Sequence, residues 1–195
     1  MAQHQSSGTG AGKNECGGHE IRWWYMARKL KGAPIAAEDA KSAAVSGPSY
    51  WLLKSEPDVF SWEMQKKRGR AGEPWTGVRN YLARNNMRSM RRGDLAFFYH
   101  SNIGKEIVGI VRVIAEAHPD PTDDTGKWDC VDVEAVCDLP RSVTLEAVKA
   151  EPILAGMSLV TTTRLSVQPV TAKEWAFICN MGGLATSQIE RLAGD

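Results

Sequence analysis

The stretch from Trp75 to Ser101 reads WTGVRNYLARNNMRSMRRGDLAFFYHS. It joins an aromatic residue, an amide-bearing turn, a basic helical pattern and an apolar strand pattern that ends in polar aromatics. Aromatic side chains can stack on a flat ring. Amides and hydroxyls can hydrogen-bond its edge, and guanidinium groups can neutralise a charged polymer. The combination suits a protein that must hold a charged polymer and a flat ring together.

The charge distribution points the same way. The net charge is only +1, yet between Met64 and Arg92 the single acid is Glu73. Lys66, Lys67, Arg68, Arg70, Arg84, Arg88, Arg91 and Arg92 in this segment are candidate phosphate contacts. Such contacts supply affinity without sequence choice and weaken with salt. From Glu106 to Met181 acids outnumber bases about two to one. The competing interpretation is therefore a solvated charged surface, balanced across the fold by this acidic half.

Other chemistry has little support. There is no GxSxG, no metal-spaced His pair, no Walker loop and no dinucleotide fingerprint, so the expectation is a non-enzyme without a cofactor. His100 between Tyr99 and Ser101 is the nearest approach to acid-base or nucleophilic chemistry, and a single His at a strand end is more often structural. Cys130 and Cys137 are too far apart for a CxxC knuckle, and with Cys16 and Cys179 they read as free thiols, with no metal. No apolar run approaches the roughly 18 residues of a membrane span, and MAQHQSSGTGAGKN has no signal-peptide core. The expectation is a cytoplasmic chain with no membrane partner; its protein partners are not legible.

The elements that must position these residues follow from periodicity and punctuation. With 195 residues, 43% hydrophobic, the chain suits one domain with a tail. Residues 1–48 are small, polar and turn-rich around a WWY patch at Trp23–Tyr25, and read as a disordered extension. YWLLKS from Tyr50 reads as a short buried strand stopped by Glu56-Pro57. VFSWEMQKKRG reads as a helix capped by Asp58, and Gly69 to Thr76 as a loop. Asn80 can cap YLARNNMRSMRR, which runs to Gly93 and places Arg84, Arg88 and Arg91 on one face.

DLAFFYHS, EIVGIVRVIAEA with Gly109 near its middle, and KWDCVDVEAVCDL read as strands. In the last, Val131, Val133, Ala135 and Cys137 share one side. TLEAVKAEPIL is a helix broken by Pro152, LVTTTRLSVQPV is extended, and TAKEWAFICNM is a helix with a Thr171–Glu174 capping box. LATSQIERLAGD, in the tail from 182 to 195, gives one loose helical turn. The fold class predicted is α+β, a curved antiparallel sheet or small barrel flanked by short helices.

Several of these segments together resemble one family. YWLLKSEPDVFSW, PWTGVRNYLARNNMRSMRRGDLAFFYHS, IVGIVRV, HPDPT, WDCVDVEAV and LSVQPVTAKEW occur in the order found in EVE domains of the PUA-like superfamily, over residues 49–181. The resemblance implies a PUA-like fold, relatedness to YTH domains that read N6-methyladenine in RNA, and a function as reader of modified bases, chiefly modified cytosine in DNA. The alternatives it leaves open are an RNA-modification-related enzyme and an N6-methyladenine reader.

A base reader must hold an extruded ring between aromatic or apolar walls. Trp51, Trp75, Phe98, Tyr99 and Trp128 are the wall candidates. Trp75 leads because it sits in a loop, whereas Trp51 and Phe98 fall in apolar strand runs, and Trp62 and Trp175 on helix faces suit packing. Carried over position by position, Lys54, Ser55, Trp75, Arg79, Asn80, Tyr99, His100 and Ser101 match the pocket rim; Val78 beside Trp75 is a further pocket candidate, and Ser166 and Gln168 either close the pocket or end a strand before Pro169. Asn80 has an equal claim as a helix cap.

Overall fold

The computed structural model describes residues 47–194. The expected disordered extension thus lies outside the described residues, except for its last two. Six strands form one open sheet: β1 (Tyr50–Ser55), β2 (Glu73–Pro74), β3 (Leu95–His100), β4 (Glu106–Pro119), β5 (Asp129–Thr144) and β6 (Val167–Val170), in the order β2-β5-β4-β3-β1-β6. Six short helices flank it: α1 (Trp62–Lys67), α2 (Tyr81–Ser89), α3 (Leu145–Ala150), α4 (Ser158–Thr161), α5 (Ala172–Met181) and α6 (Thr186–Gly194). The fold class is α+β, as expected. The sheet is not wholly antiparallel, because β1 and β3 run parallel, with Lys54 beside Tyr99 and Ser55 beside His100. Parallel neighbours need a crossover, and residues 56–94 supply it.

The runs WLL and LAFFY are continuous because both faces of the sheet are covered. Alternation sends Leu52, Phe97 and Tyr99 to one core with Ile107, Ile110 and Trp175. It sends Trp51, Leu53 and Phe98 to the other with Trp62, Trp75, Val111 and Val133. In the first core the Trp175 ring lies between Phe97 and Tyr50, at 4.2 and 4.6 Å between ring centres. In the second, Trp62 lies across β4 at Gly109, where a Cβ would stand 2.2 Å from the indole. The indole N–H donates to Asp138 Oδ1 at 2.6 Å.

Local chemistry set several boundaries differently from the sequence reading. Ser61, not Asp58, caps α1 by accepting from the Met64 amide. The Gly69–Thr76 segment contains a 3-10 turn and β2. At Gly72, where φ is +69°, a Cβ would meet the Val133 carbonyl oxygen at 2.9 Å, so only glycine lets the chain approach β5 there. The α2 helix ends at Ser89, so Arg91 falls beyond it. The segment expected to be extended before β6 contains α4, and the loose C-terminal turn is the nine-residue helix α6. Pairing of Ile110 with Cys137 and of Val111 with Ala135 leaves Val136 as an extra residue in β5. This bulge turns Cys137 to the core opposite Val131, Val133 and Ala135. The Thr171–Glu174 capping box is present as expected.

Candidate nucleic-acid interface

The loop after β2 is built around one carboxylate. The Trp75 amide donates to the Val131 carbonyl at 2.8 Å, extending the β2–β5 pairing to the first loop residue. Gly77, at φ +79°, turns the chain. Asp120 Oδ2 then accepts from the Gly77 amide at 2.9 Å and from Arg79 Nη1 at 2.7 Å, while Oδ1 accepts from the Thr122 amide and hydroxyl. Burial pushes this carboxyl's pKa up, but the Arg79, Thr122 and Gly77 donors outweigh it and hold the pKa at about 2. Asn80 Oδ1 accepts from the Ala83 amide at 3.0 Å and starts α2.

This loop borders a cleft of about 470 Å³, within the rough 300–1,000 Å³ range of small-ligand sites. Val59, Phe60, Trp75 and Val78 give it apolar walls. Trp75 meets Phe98 edge to face at 5.4 Å and Phe60 at 6.5 Å, and is only 7% exposed. Lys54 and Arg79 bring positive charge, and Glu56 and Glu73 bring acceptors. Burial pushes the Lys54 ammonium pKa down; its Nζ donates to the Thr163 carbonyl at 3.1 Å.

Of the residues read from the sequence as a base pocket, Lys54, Ser55, Trp75, Val78, Arg79 and Ser166 come together on the cleft. Asn80, Tyr99, His100, Ser101 and Gln168 do not line it. Tyr99 packs in the opposite core. His100 Nε2 accepts the Trp62 amide at 3.1 Å, as a neutral imidazole does; burial pushes its pKa down against the opposing pull of Glu106. The Ser101 hydroxyl donates to the Ser55 carbonyl. Gln168 Nε2 is spent on the carbonyls of Thr162 and Leu165, both at 3.0 Å. Trp51 is core, its Nε1 donating to Asp94. The sequence reading missed Glu56, Val59, Phe60 and Glu73. Its one usable signal was the Glu56-Pro57 break, which forces a turn before α1 begins.

Five of the nine basic residues between Met64 and Arg92 are matched by carboxylates, four of them by the acidic half. Lys66 pairs with Glu63 and Asp138, Arg68 with Glu73, Arg79 with Asp120, Arg88 with Asp129 and Arg91 with Glu116. Among the described residues, Lys67, Arg70, Arg84 and Arg92 have no such ion pair. Uncompensated charge is what attracts a polyanion at long range, and these four are the cations of the segment without a carboxylate partner.

One trio of metal-capable groups lies close together among the described residues: His118, Cys130 and Asp132, with ligand atoms within 4.8 Å of one another. As arranged, His118 Nε2 and Asp132 Oδ1 share a hydrogen bond at 2.9 Å. Burial, with the charges of Asp120, Asp132 and Asp129, pushes the Cys130 thiol up to about 12, so it stays protonated at neutral pH. No helix among the described residues is long and apolar enough to cross a membrane.

Comparison with known proteins places this geometry in context. A family model described as the EVE domain matches residues 49–181. Mouse thymocyte nuclear protein 1 is 39% identical over 165 residues, 68% of this chain and 73% of that one. The human protein of that name is 36% identical over 180 residues, 76% and 80% of the two chains. A crystal structure of an Agrobacterium tumefaciens protein superposes with a TM-score of 0.69 at 61% identity, covering 72% of this chain and 97% of that one. Human THYN1 in complex with DNA containing 5-methylcytosine superposes at 0.65 and 35% identity, covering 70% and 99%.

Proposed function

The chain belongs to the EVE-domain family, and on that premise we propose that it is a non-catalytic module that reads a modified nucleobase, with modified cytosine in DNA as the substrate class. The observation that carries this reading is the cleft itself: an aromatic and aliphatic wall facing charged donors and acceptors at the end of β1. A base inserted there has Phe60 and Trp75 as apolar neighbours. Stacking of this kind contributes roughly 1–3 kcal/mol per base. Glu56, whose carboxylate accepts no hydrogen bond among the described residues, can accept from the exocyclic amine of cytosine, and Lys54 or Arg79 can donate to the ring's acceptors. A methyl group at C5 is sensed by an apolar wall. The bound DNA of human THYN1 contains 5-methylcytosine, which supports this choice of base.

Backbone affinity in this reading comes from the basic segment Lys66–Arg92, and chiefly from the cations without carboxylate partners. The test is a titration with oligonucleotides bearing 5-methylcytosine, 5-hydroxymethylcytosine, N6-methyladenine or no modification, each as DNA and as RNA. Tighter binding of a modified cytosine in DNA, with no change to the oligonucleotide, is expected. Equal weak binding to every arm would sink the reading, and turnover of any oligonucleotide would replace it with an enzyme.

A further inference from the structure

We propose that Tyr81, Arg84 and Trp128 form a second subsite, a stacking platform for the nucleotide flanking the base in the cleft; it rests on the reading of the cleft as a base pocket. The Tyr81 and Trp128 rings lie 4.9 Å apart between centres, inclined by 34°. The Arg84 guanidinium carbon stands 5.0 Å from the Tyr81 ring centre and 5.7 Å from that of Trp128. Aromatic faces and guanidinium planes are the surfaces on which unpaired bases stack.

Three observations point to a nucleotide as the occupant. First, Tyr81 is 61% exposed at the first position of α2, so the surface that Trp128 and Arg84 leave uncovered is open to a ligand. Second, Arg84 is held by rings and by the Lys127 carbonyl at 2.7 Å rather than by a carboxylate. Its charge is therefore uncompensated, whereas Arg79, Arg88 and Arg91 are each paired. Third, the platform is continuous with the cleft. Arg79 lines the cleft, and its guanidinium carbon is 5.9 Å from the Trp128 ring centre. Asp120 binds both: its carboxylate holds Arg79 and Gly77, and its amide donates to the Trp128 carbonyl at 3.0 Å. An aromatic surface with one guanidinium that has no carboxylate partner, fixed beside a base-sized cleft, suits the next base and its phosphate.

Binding of 5-methyl-dCMP, of a trinucleotide centred on 5-methylcytosine, and of the same trinucleotide with abasic flanks separates the two sites. The intact trinucleotide is expected to bind at least about fivefold tighter than the abasic one. Tyr81→Ala should erase that difference and leave the mononucleotide unchanged, while Tyr81→Phe should preserve it. Arg84→Gln should weaken both trinucleotides. If Tyr81→Ala leaves the trinucleotide affinity intact, or weakens all three ligands equally, the platform is overturned while the reading of the cleft stands. If the unsubstituted protein binds none of the three, both fall. Urea midpoints of the Tyr81 variants confirm that the exposed substitutions leave the fold in place.

Discussion

Arg79 and Asp120 meet at 2.7 Å with the Asp120 side chain wholly buried and the Arg79 side chain 39% exposed. The pair fixes the one loop that contributes both Trp75 and Arg79 to the cleft. Replacing Asp120 by Asn removes the charge and leaves the Arg79 and Gly77 donors with a weaker acceptor. The Asp120→Asn variant should be less stable by about 1–3 kcal/mol in urea denaturation and should bind nucleic acid more weakly through a loosened loop. An unchanged urea midpoint would show that the loop is held by something else.

The same carboxylate sets an acid limit. Its pKa in the folded protein is about 2, below the roughly 3.9 of an unfolded aspartate. Protonation therefore favours the unfolded chain. The stabilisation is complete above about pH 4 and is lost as pH falls through about 2, of order 1–2 kcal/mol after allowance for solvent screening. Urea midpoints measured from pH 5 to pH 2 should fall more steeply for the native chain than for Asp120→Asn. Parallel curves would contradict the assignment.

Phe60 offers a cleaner test of the cleft than Trp75. Trp75 is nearly all packing surface, so Trp75→Ala should cost about 3–5 kcal/mol of stability before any effect on binding. Phe60 is half-buried. Phe60→Ala should keep the fold and weaken binding of the preferred base at least about fivefold. Isothermal titration beside a thermal melt separates the two effects.

Charge removal should sort the basic residues by their partners. Lys67→Gln and Arg92→Gln should each lower affinity for every oligonucleotide alike and reduce the slope of log K against log salt by up to about 1. Arg88→Gln should do less, because Asp129 already compensates that charge. If instead Lys67→Gln altered the preference among modifications, backbone and base contacts would not be separate.

Gly109→Ala should destabilise by about 1–3 kcal/mol, since the added Cβ stands 2.2 Å from the Trp62 indole. A companion Trp62→Phe substitution should recover part of that loss in the same melt.

The legible parts of the fold are those set by local chemistry. The apolar runs of β1 and β3, the Asn80 cap and the Thr171–Glu174 box follow from neighbours a few residues apart. What the sequence hid depends on distant partners. Cys137 faces the opposite core because of a bulge that exists only against β4. Arg88 and Arg91 read as phosphate contacts because their partners Asp129 and Glu116 stand 41 and 25 residues away along the chain. The cleft was half legible for a related reason. Trp75 and Arg79 share a loop, but Phe60 and Glu56 join them only through the β1–α1 turn. Tyr99, one residue from the cleft side of β3, is excluded by the pleat alone.

The parallel pairing of β1 with β3 has a kinetic consequence. Every wall of the cleft from Glu56 to Arg79 lies in the segment whose ends that pairing must bring together. Closing such a loop carries an entropic cost before the pairing is gained. The cleft is therefore completed only with this non-local pairing, the kind of contact that slows folding. A cut within residues 56–80 would sever the covalent connection between the paired neighbours β1 and β3, whereas a nick in the exposed loop at 124–127 leaves both arms of the crossover intact.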